Sequence, residues 1–286
     1  MKYTIHNNGW TVILDPKFKI KNATQDDINF ISKLVSKQTV VILREQDLTP
    51  DDEVRLVSMF KDLERAVPTD TNADMLRRLL VPGTDCLCRV TGELDEHGDP
   101  GLFGHVSDLD WHCNQAANEW RHPLVWLYSV KGSKGSKTSW INYVRVYEDL
   151  PEEDKEYFKT IKMINGYRTA QYGGYSPDHF GKEVDVNYRF QPNLVYTNQA
   201  GVTGLFFPFL QIHQIVGMDE EQSKEFINKL RARVEQEKYI YHHIWEDGDV
   251  NISDQWLGVH KRWEFEGIAN RVLHRATMRY PDQDYS

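Results

Sequence analysis

The sequence predicts a mainly β fold, an antiparallel β-sandwich or jelly roll with α-helices inserted around it. Three observations favour this class. The 286-residue chain contains 8 Trp, 14 Tyr and 12 Phe, and aromatic side chains are enriched in strands. From residue 239 onward, short strand-like runs are separated by turns. Helical patterns form only a few separate segments, which is typical of a β-rich domain with helices outside the sheets.

The N-terminal part reads as two helices on either side of a buried strand. Thr24 is suited to cap a helix, because acidic residues follow it and an apolar stripe recurs at helical spacing. The apolar run TVVIL, residues 39–43, predicts a short strand. Thr49 followed by Pro50 marks the start of the second helix.

The remaining elements follow from the same patterns. Apolar or alternating runs predict strands at residues 123–130, 239–245, 251–260 and 270–280. Amphipathic segments that start with acidic residues predict helices at residues 150–161 and 218–237. We expect the tandem His242-His243 in one of these strands to point to opposite faces, with both residues structural.

Composition excludes several classes of protein. The formal net charge is −9 and no block of Lys or Arg occurs, so we expect no nucleic-acid partner. No apolar run approaches the ~18 residues of a membrane span, and the N-terminus has no continuous apolar signal-peptide core. The cysteines Cys86, Cys88 and Cys113 form no disulfide framework. We therefore expect a cytoplasmic protein with reduced thiols.

Polar residues in otherwise apolar strands mark a candidate metal site. In a strand, His112 and Asn114 would share one face, since side chains two apart point the same way. His260 follows another apolar-flanked segment, and alternation in the last strand places Arg271 and Arg275 on one face. Two histidines, an oxygen ligand and an arginine fork for a carboxylate are typical of non-haem Fe(II) with an acidic cosubstrate. The alternative interpretation is hydrogen-bonded histidines and solvated arginines paired with some of the 43 carboxylates.

From about Val40 to Tyr280, the chain resembles the taurine/2,4-D dioxygenase (TauD/TfdA-like) family of Fe(II)/2-oxoglutarate-dependent dioxygenases. Segments that carry the resemblance are VVILREQDLTPDDEVRLVSMFKDLE, LDWHCN, PLVWLYSVKGSKGSKTSWIN, VYEDLPEEDKE, QWLGVH and RVLHRAT. The family order is a W-H-x-D motif, a small-residue loop ending in Thr, a Y-x-x-L-P helix, a distal His, and an Arg about eleven residues later. This chain keeps that order, with His260 followed by Arg271.

The resemblance implies a fold and a set of roles. The fold is a double-stranded β-helix (jelly roll) core flanked by helices, one domain over residues 1–286 with an N-terminal α/β extension and helical insertions. The metal site is assigned to His112, Asn114 and His260. Thr138 and Arg271 would hold the distal carboxylate of 2-oxoglutarate. Substrate binding is assigned to Arg275 and Asp108. The expected activity is oxidation of a C–H bond in a small, anionic molecule, with 2-oxoglutarate decarboxylated to succinate and CO2.

The departure from the family is Asn114, which stands where W-H-x-D has a carboxylate. Asn114 could coordinate iron through its neutral oxygen, or stand off the metal and leave a position for water or an anion. The site could also be degraded, which would make the chain a non-catalytic binding protein. Asp110 shares the face of His112 by parity and is a further candidate ligand. A halogenase-like variant is the alternative enzyme, and a homo-oligomer is compatible with the sequence.

Overall fold

The computed structural model describes residues 1–65, 78–116, 119, 121–165 and 191–285. Within these ranges two β-sheets form the centre of the molecule, and helices flank them. The mainly β architecture expected from the sequence is confirmed. No helix in the described ranges is long and apolar enough to cross a membrane.

The larger sheet has seven strands, numbered here in chain order. Across the sheet they are β1 (Tyr3–Ile5), β2 (Val12–Leu14), β3 (Val40–Leu43), β13 (Val250–Asp254), β6 (Leu124–Lys131), β15 (Val272–Met278) and β4 (Cys88–Thr91). Neighbouring strands pair antiparallel except β2 and β3, which are parallel.

The smaller sheet has four strands. Across the sheet they are β12 (Ile240–Ile244), β7 (Lys137–Asn142), β14 (Gly258–Arg262) and β5 (Leu109–His112). Two separate antiparallel pairs join β8 (Met163–Asn165) to β11 (Ile212–Ile215) and β9 (Val195–Thr197) to β10 (Thr203–Leu205). From β4 to β7, and again from β12 to β15, consecutive strands alternate between the two main sheets.

The α-helices that lie wholly within the described ranges are α1 (Gln25–Gln38), α2 (Pro50–Val57), α3 (Tyr143–Glu148), α4 (Glu152–Lys159) and α5 (Glu220–Val234). Capping boxes begin α1 and α2, as Thr24 and Thr49 predict. The predicted helices at 150–161 and 218–237 correspond to α4 and α5, each shorter than predicted. The sequence patterns did not predict α3, whose first N–H groups are capped by the Asn142 side chain.

Apolar clusters fill the space between and outside the sheets. One lies between them, with Val125, Leu127 and Leu273 from the larger sheet and Trp140 and Tyr241 from the smaller. A second packs α1 and α2 against the outer face of the larger sheet, and a third covers the smaller sheet. The two sheets therefore have their inner faces buried against each other.

The predicted strand at 251–260 is two strands in the structure. Residues 255–257 form a turn between β13 and β14, which belong to different sheets. The buried carboxylate of Asp254 accepts hydrogen bonds from the backbone N–H groups of Trp256 and Leu257. These bonds stabilise the change of direction that carries the chain from one sheet to the other.

Candidate active site

A cavity opens between the inner faces of the two sheets. Its apolar lining is Val90, Phe103, Leu109, Leu127 and Leu273, and its polar lining is His112, Asn114, Thr138, His260, Arg262, Arg271 and Arg275. Six of the seven residues assigned to the site from the sequence therefore lie in one cavity. Asp108 is not in the lining; its half-exposed carboxylate pairs with Lys261 at 3.2 Å.

Two histidines lie opposite each other on adjacent strands. His112 on β5 pairs in register with His260 on β14, and their ring centroids are 4.1 Å apart. His112 Nδ1 donates to the Asp110 carbonyl at 2.7 Å, which leaves Nε2 as the nitrogen available to a ligand. Burial lowers the pKa of His112 to about 4 and holds the pKa of His260 well below its usual range. Both rings are therefore neutral, the form that binds a metal.

A β-bulge in β5 changes which residues face the cavity. His112 pairs with His260, but Leu109 pairs with Arg262, so β5 has one more residue than β14 over this stretch. Leu109 and His112 consequently line the cavity together, although they are three residues apart. The Asp110 carboxylate lies away from the cavity, where it pairs with Arg231 at 2.8 Å. This position argues against Asp110 as the replacement for the missing carboxylate.

Asn114 lies in the turn after β5, beyond the strand in which we predicted it. It is buried, and its side chain has two hydrogen-bonding partners. Asn114 Oδ1 accepts from Arg275 Nη1 at 2.6 Å, and Nδ2 donates to Gln255 Oε1 at 3.1 Å. The backbone N–H of Asn114 donates to the same Gln255 oxygen at 2.6 Å. Gln255 was not singled out from the sequence; the only signal was a polar residue inside an apolar-flanked segment.

The last strand presents its arginines as alternation predicts. Arg271, just before β15, lines the cavity together with Leu273 and Arg275. Arg271 is 2% exposed, and its Nε and Nη1 have no hydrogen-bond partner within the part of the chain that the structure describes. Burial lowers the pKa of Arg271 to about 9, so its guanidinium is charged at neutral pH. A buried cation with free donors fits the carboxylate of an organic acid.

Thr138 and Arg262 are the remaining polar residues of the cavity lining. Thr138 on β7 pairs in register with Arg262 on β14, and Thr138 Oγ1 accepts from the Trp245 indole at 2.9 Å. Arg262 donates to the carbonyls of Phe103 and Ser107. Sequence reasoning missed Arg262 because it lies two residues beyond the histidine motif. Among the described residues no Asp or Glu lines the cavity, so three guanidinium groups give it a net positive character.

The residues that line the cavity suit a metal ion and an organic diacid. They differ from a site with two histidines and a carboxylate in that the carboxylate ligand is absent from the described lining. Two neutral imidazoles face one another, and the same cavity contains a buried arginine whose Nε and Nη1 have no partner within the described ranges. In the described ranges no group of three His, Cys, Asp or Glu side chains could hold a metal. A metal here would thus have two histidines and, at most, the neutral oxygen of Asn114 as protein ligands.

Comparison with known proteins gives consistent matches. Residues 12–277 match the family model described as taurine catabolism dioxygenase TauD, TfdA family. Pentalenolactone F synthase from Streptomyces arenae is 23% identical over 207 residues, covering 68% of this chain and 69% of that protein. Alpha-ketoglutarate-dependent 2,4-dichlorophenoxyacetate dioxygenase from Burkholderia sp. (strain RASC) is 23% identical over 263 residues, covering 88% and 85%.

A solved structure is also similar in fold. The crystal structure of AAD-2 in complex with Mn(II) and N-oxalylglycine superposes with a TM-score of 0.79 and 16% identity, covering 100% of this chain and 99% of that one. At this identity the likeness concerns the fold alone.

Proposed function

Because the chain belongs to the TauD, TfdA family of dioxygenases, whose cofactors are Fe(II) and 2-oxoglutarate, we propose that it oxidises a C–H bond of a small anionic molecule. In this reaction dioxygen is the oxidant: one oxygen atom enters the succinate that forms when 2-oxoglutarate loses CO2, and the other oxidises the C–H bond. The observation that carries the proposal is the pairing, in one cavity, of two neutral histidines with the donor-rich Arg271.

We assign the alternating strands to a double-stranded β-helix, within a single domain over residues 1–286. Strands β4 to β7 and β12 to β15 alternate between the sheets in the way that this fold requires. The arrangement brings β5, β7, β14 and β15 to one cavity, and each contributes or adjoins a polar residue of the site. The fold thereby positions residues that are far apart in sequence.

His112 and His260 would hold the iron, which supplies the oxidising chemistry when bound with 2-oxoglutarate. Arg271 would bind the distal carboxylate of 2-oxoglutarate through Nε and Nη1, which have no hydrogen-bond partner among the described residues. Thr138 can donate its hydroxyl proton to the same carboxylate, because its oxygen already accepts from Trp245. The apolar lining, including Leu109, keeps water from the reacting atoms.

Arg275 supports an anionic primary substrate. Its Nη1 is engaged by Asn114, but its buried Nε has no hydrogen-bond partner among the described residues. A carboxylate, sulfonate or phosphonate would satisfy that donor and its charge. Asp108 is a weaker candidate for substrate binding, since its carboxylate faces Lys261 outside the cavity lining.

Anaerobic titration with Fe(II) and then 2-oxoglutarate tests the metal and cosubstrate assignments. We expect a weak visible metal-to-ligand charge-transfer band in the wild type and none in His112→Ala or His260→Ala. Absence of both the band and iron binding in the wild type would contradict the enzyme assignment and favour a ligand-binding protein. Succinate formation with a panel of small acids, each beside its uncharged amide, then tests the substrate class.

A halogenase-like reaction is the second candidate, and the neutral Asn114 side chain is the observation that favours it. A metal without a carboxylate ligand has one more unit of positive charge, which favours an added anion such as halide. Product analysis with and without chloride separates the two reactions. Chloride-independent hydroxylated product would leave oxygenation as the function.

A further inference from the structure

The hydrogen bonds around Asn114 fix the orientation of two side-chain amides. Gln255 has one end against the His122 carbonyl at 2.6 Å and the other against the Asn114 backbone N–H at 2.6 Å. A carbonyl only accepts and a backbone N–H only donates, so Gln255 Nε2 must face His122 and Oε1 must face residue 114. The His122 carbonyl and the Asn114 backbone N–H each require, independently, this orientation of the Gln255 amide.

The orientation of Asn114 follows from that of Gln255. Since Gln255 Oε1 can only accept, the nearer group of Asn114 must be Nδ2, at 3.1 Å. Asn114 Oδ1 then faces Arg275 Nη1, which can only donate, at 2.6 Å. All of these groups are largely or wholly buried, and turning the amide over would place two pairs of like groups against each other.

We propose that Gln255 is a positioning residue for Asn114: together with Arg275 it commits the Asn114 oxygen to the guanidinium, so that the two histidines hold the metal without it. This inference rests on the proposed function, because it concerns how that metal is held. It also makes Asn114 an integrated part of the site, with its oxygen, its amide NH2 and its backbone N–H all hydrogen-bonded.

The same geometry disfavours a carboxylate at position 114. An aspartate there would place one carboxylate oxygen beside Gln255 Oε1, where the amide nitrogen now donates. Gln255 could relieve this contact only by turning over, which would oppose its oxygen to the His122 carbonyl and its NH2 to the backbone N–H of residue 114. Gln255 therefore distinguishes an amide from a carboxylate at this position.

Metal affinity tests the first half of the proposal without requiring turnover. Mn(II) binding is followed by the loss of the free-ion electron paramagnetic resonance signal in the wild type, Asn114→Ala, His112→Ala and His260→Ala. We expect Asn114→Ala to bind Mn(II) within about threefold of the wild type, and each histidine variant to lose at least about tenfold, a typical effect of disturbing a metal site. Equal losses in Asn114→Ala and the histidine variants would overturn the proposal. If wild-type protein bound no Mn(II), the proposed function would fail as well.

A double-mutant cycle tests the role of Gln255. Gln255→Met removes both polar ends with little change in volume, and thermal unfolding checks that each variant folds. We expect Gln255→Met to leave Mn(II) affinity unchanged beside Asn114 but to raise it about tenfold beside Asn114→Asp, within the range of coupling between contacting residues. The gain arises because the opposing oxygen is gone and the new carboxylate can reach the metal. Additive effects would show that Gln255 has only a structural role and would overturn its assignment.

Discussion

Neighbouring residues on β15 belong to two buried polar regions of different character. His274 faces the helices outside the larger sheet, where its Nδ1 lies 2.5 Å from Glu53 Oε1. Glu53 is fully buried, burial raises its pKa, and its other oxygen accepts from the Trp126 indole at 3.0 Å. Arg275 faces the cavity on the opposite side of the strand, where it and Arg271 have donors without a partner in the part of the chain that the structure describes.

The difference between these two polar regions distinguishes a cluster with a structural role from a site that binds a ligand. In the cluster of Glu53, His274 and Trp126, both oxygens of the Glu53 carboxylate have a hydrogen-bond partner. This cluster therefore stabilises the fold without a further molecule. In the cavity, buried guanidinium donors lack protein partners among the described residues, an arrangement that costs folding free energy unless a ligand satisfies it. A buried charged group therefore indicates a ligand-binding site only where some of its hydrogen-bond donors or acceptors lack a protein partner.

The largest expected effect is on the cavity side, at Arg271. Arg271→Met should raise the dissociation constant for 2-oxoglutarate by about a thousandfold, since losing one partner of a buried charge pair costs about 2–5 kcal/mol. It should not lower the free energy of unfolding, because the lost group has no hydrogen-bond partner among the described residues. Calorimetric titration with 2-oxoglutarate and urea unfolding measure the two quantities.

Arg271→Lys is the matched control, since it keeps the charge but not the planar fork. We expect intermediate affinity for 2-oxoglutarate. If Arg271→Met instead destabilised the fold and left 2-oxoglutarate binding unchanged, Arg271 would have a structural role. The assignment of a ligand site to this face of β15 would then be wrong.

The next largest effect is on the outer face, at Glu53. Glu53→Leu leaves His274 and Trp126 without their acceptor, and two unsatisfied buried donors should lower the free energy of unfolding by about 3 kcal/mol. Affinity for Fe(II) and 2-oxoglutarate should be unchanged, provided that the protein is folded. Glu53→Gln keeps an acceptor and should cost less. A selective loss of 2-oxoglutarate binding in Glu53→Leu would mean that the two faces are coupled through β15.

Much of this contrast could be predicted from local sequence. Strand alternation places Arg271 and Arg275 on one face and His274 on the other, as found, because His274 and Arg275 lie in β15 and Arg271, directly before it, has extended backbone. The caps of α1 and α2 are local as well, since each capping box involves residues three apart.

Features that depend on the pairing of strands far apart in sequence could not be predicted from local patterns. Parity in β5 failed for Asp110 because the bulge is defined by the register with β14, about 150 residues later in the chain. Gln255 and Asn114 are likewise separated by 141 residues, so their hydrogen bonds leave no local pattern. The sequence does identify the main cavity residues, but not the partners that orient them.

The smallest predicted effect concerns the orientation of Thr138. Trp245→Phe keeps an aromatic ring but removes the indole N–H that donates to Thr138 Oγ1 at 2.9 Å. The hydroxyl then loses the contact that directs its proton toward the cavity, and one hydrogen bond contributes about 0.5–1.5 kcal/mol. We expect the KM for 2-oxoglutarate to rise about fivefold, a change of that size in free energy, with kcat nearly constant. Trp10→Phe is the matched control, because Trp10 lies in the same apolar cluster and its indole nitrogen has no hydrogen-bond partner among the described residues. If both variants raised KM equally, the effect would come from packing of the cluster, and Thr138 would be oriented without the indole.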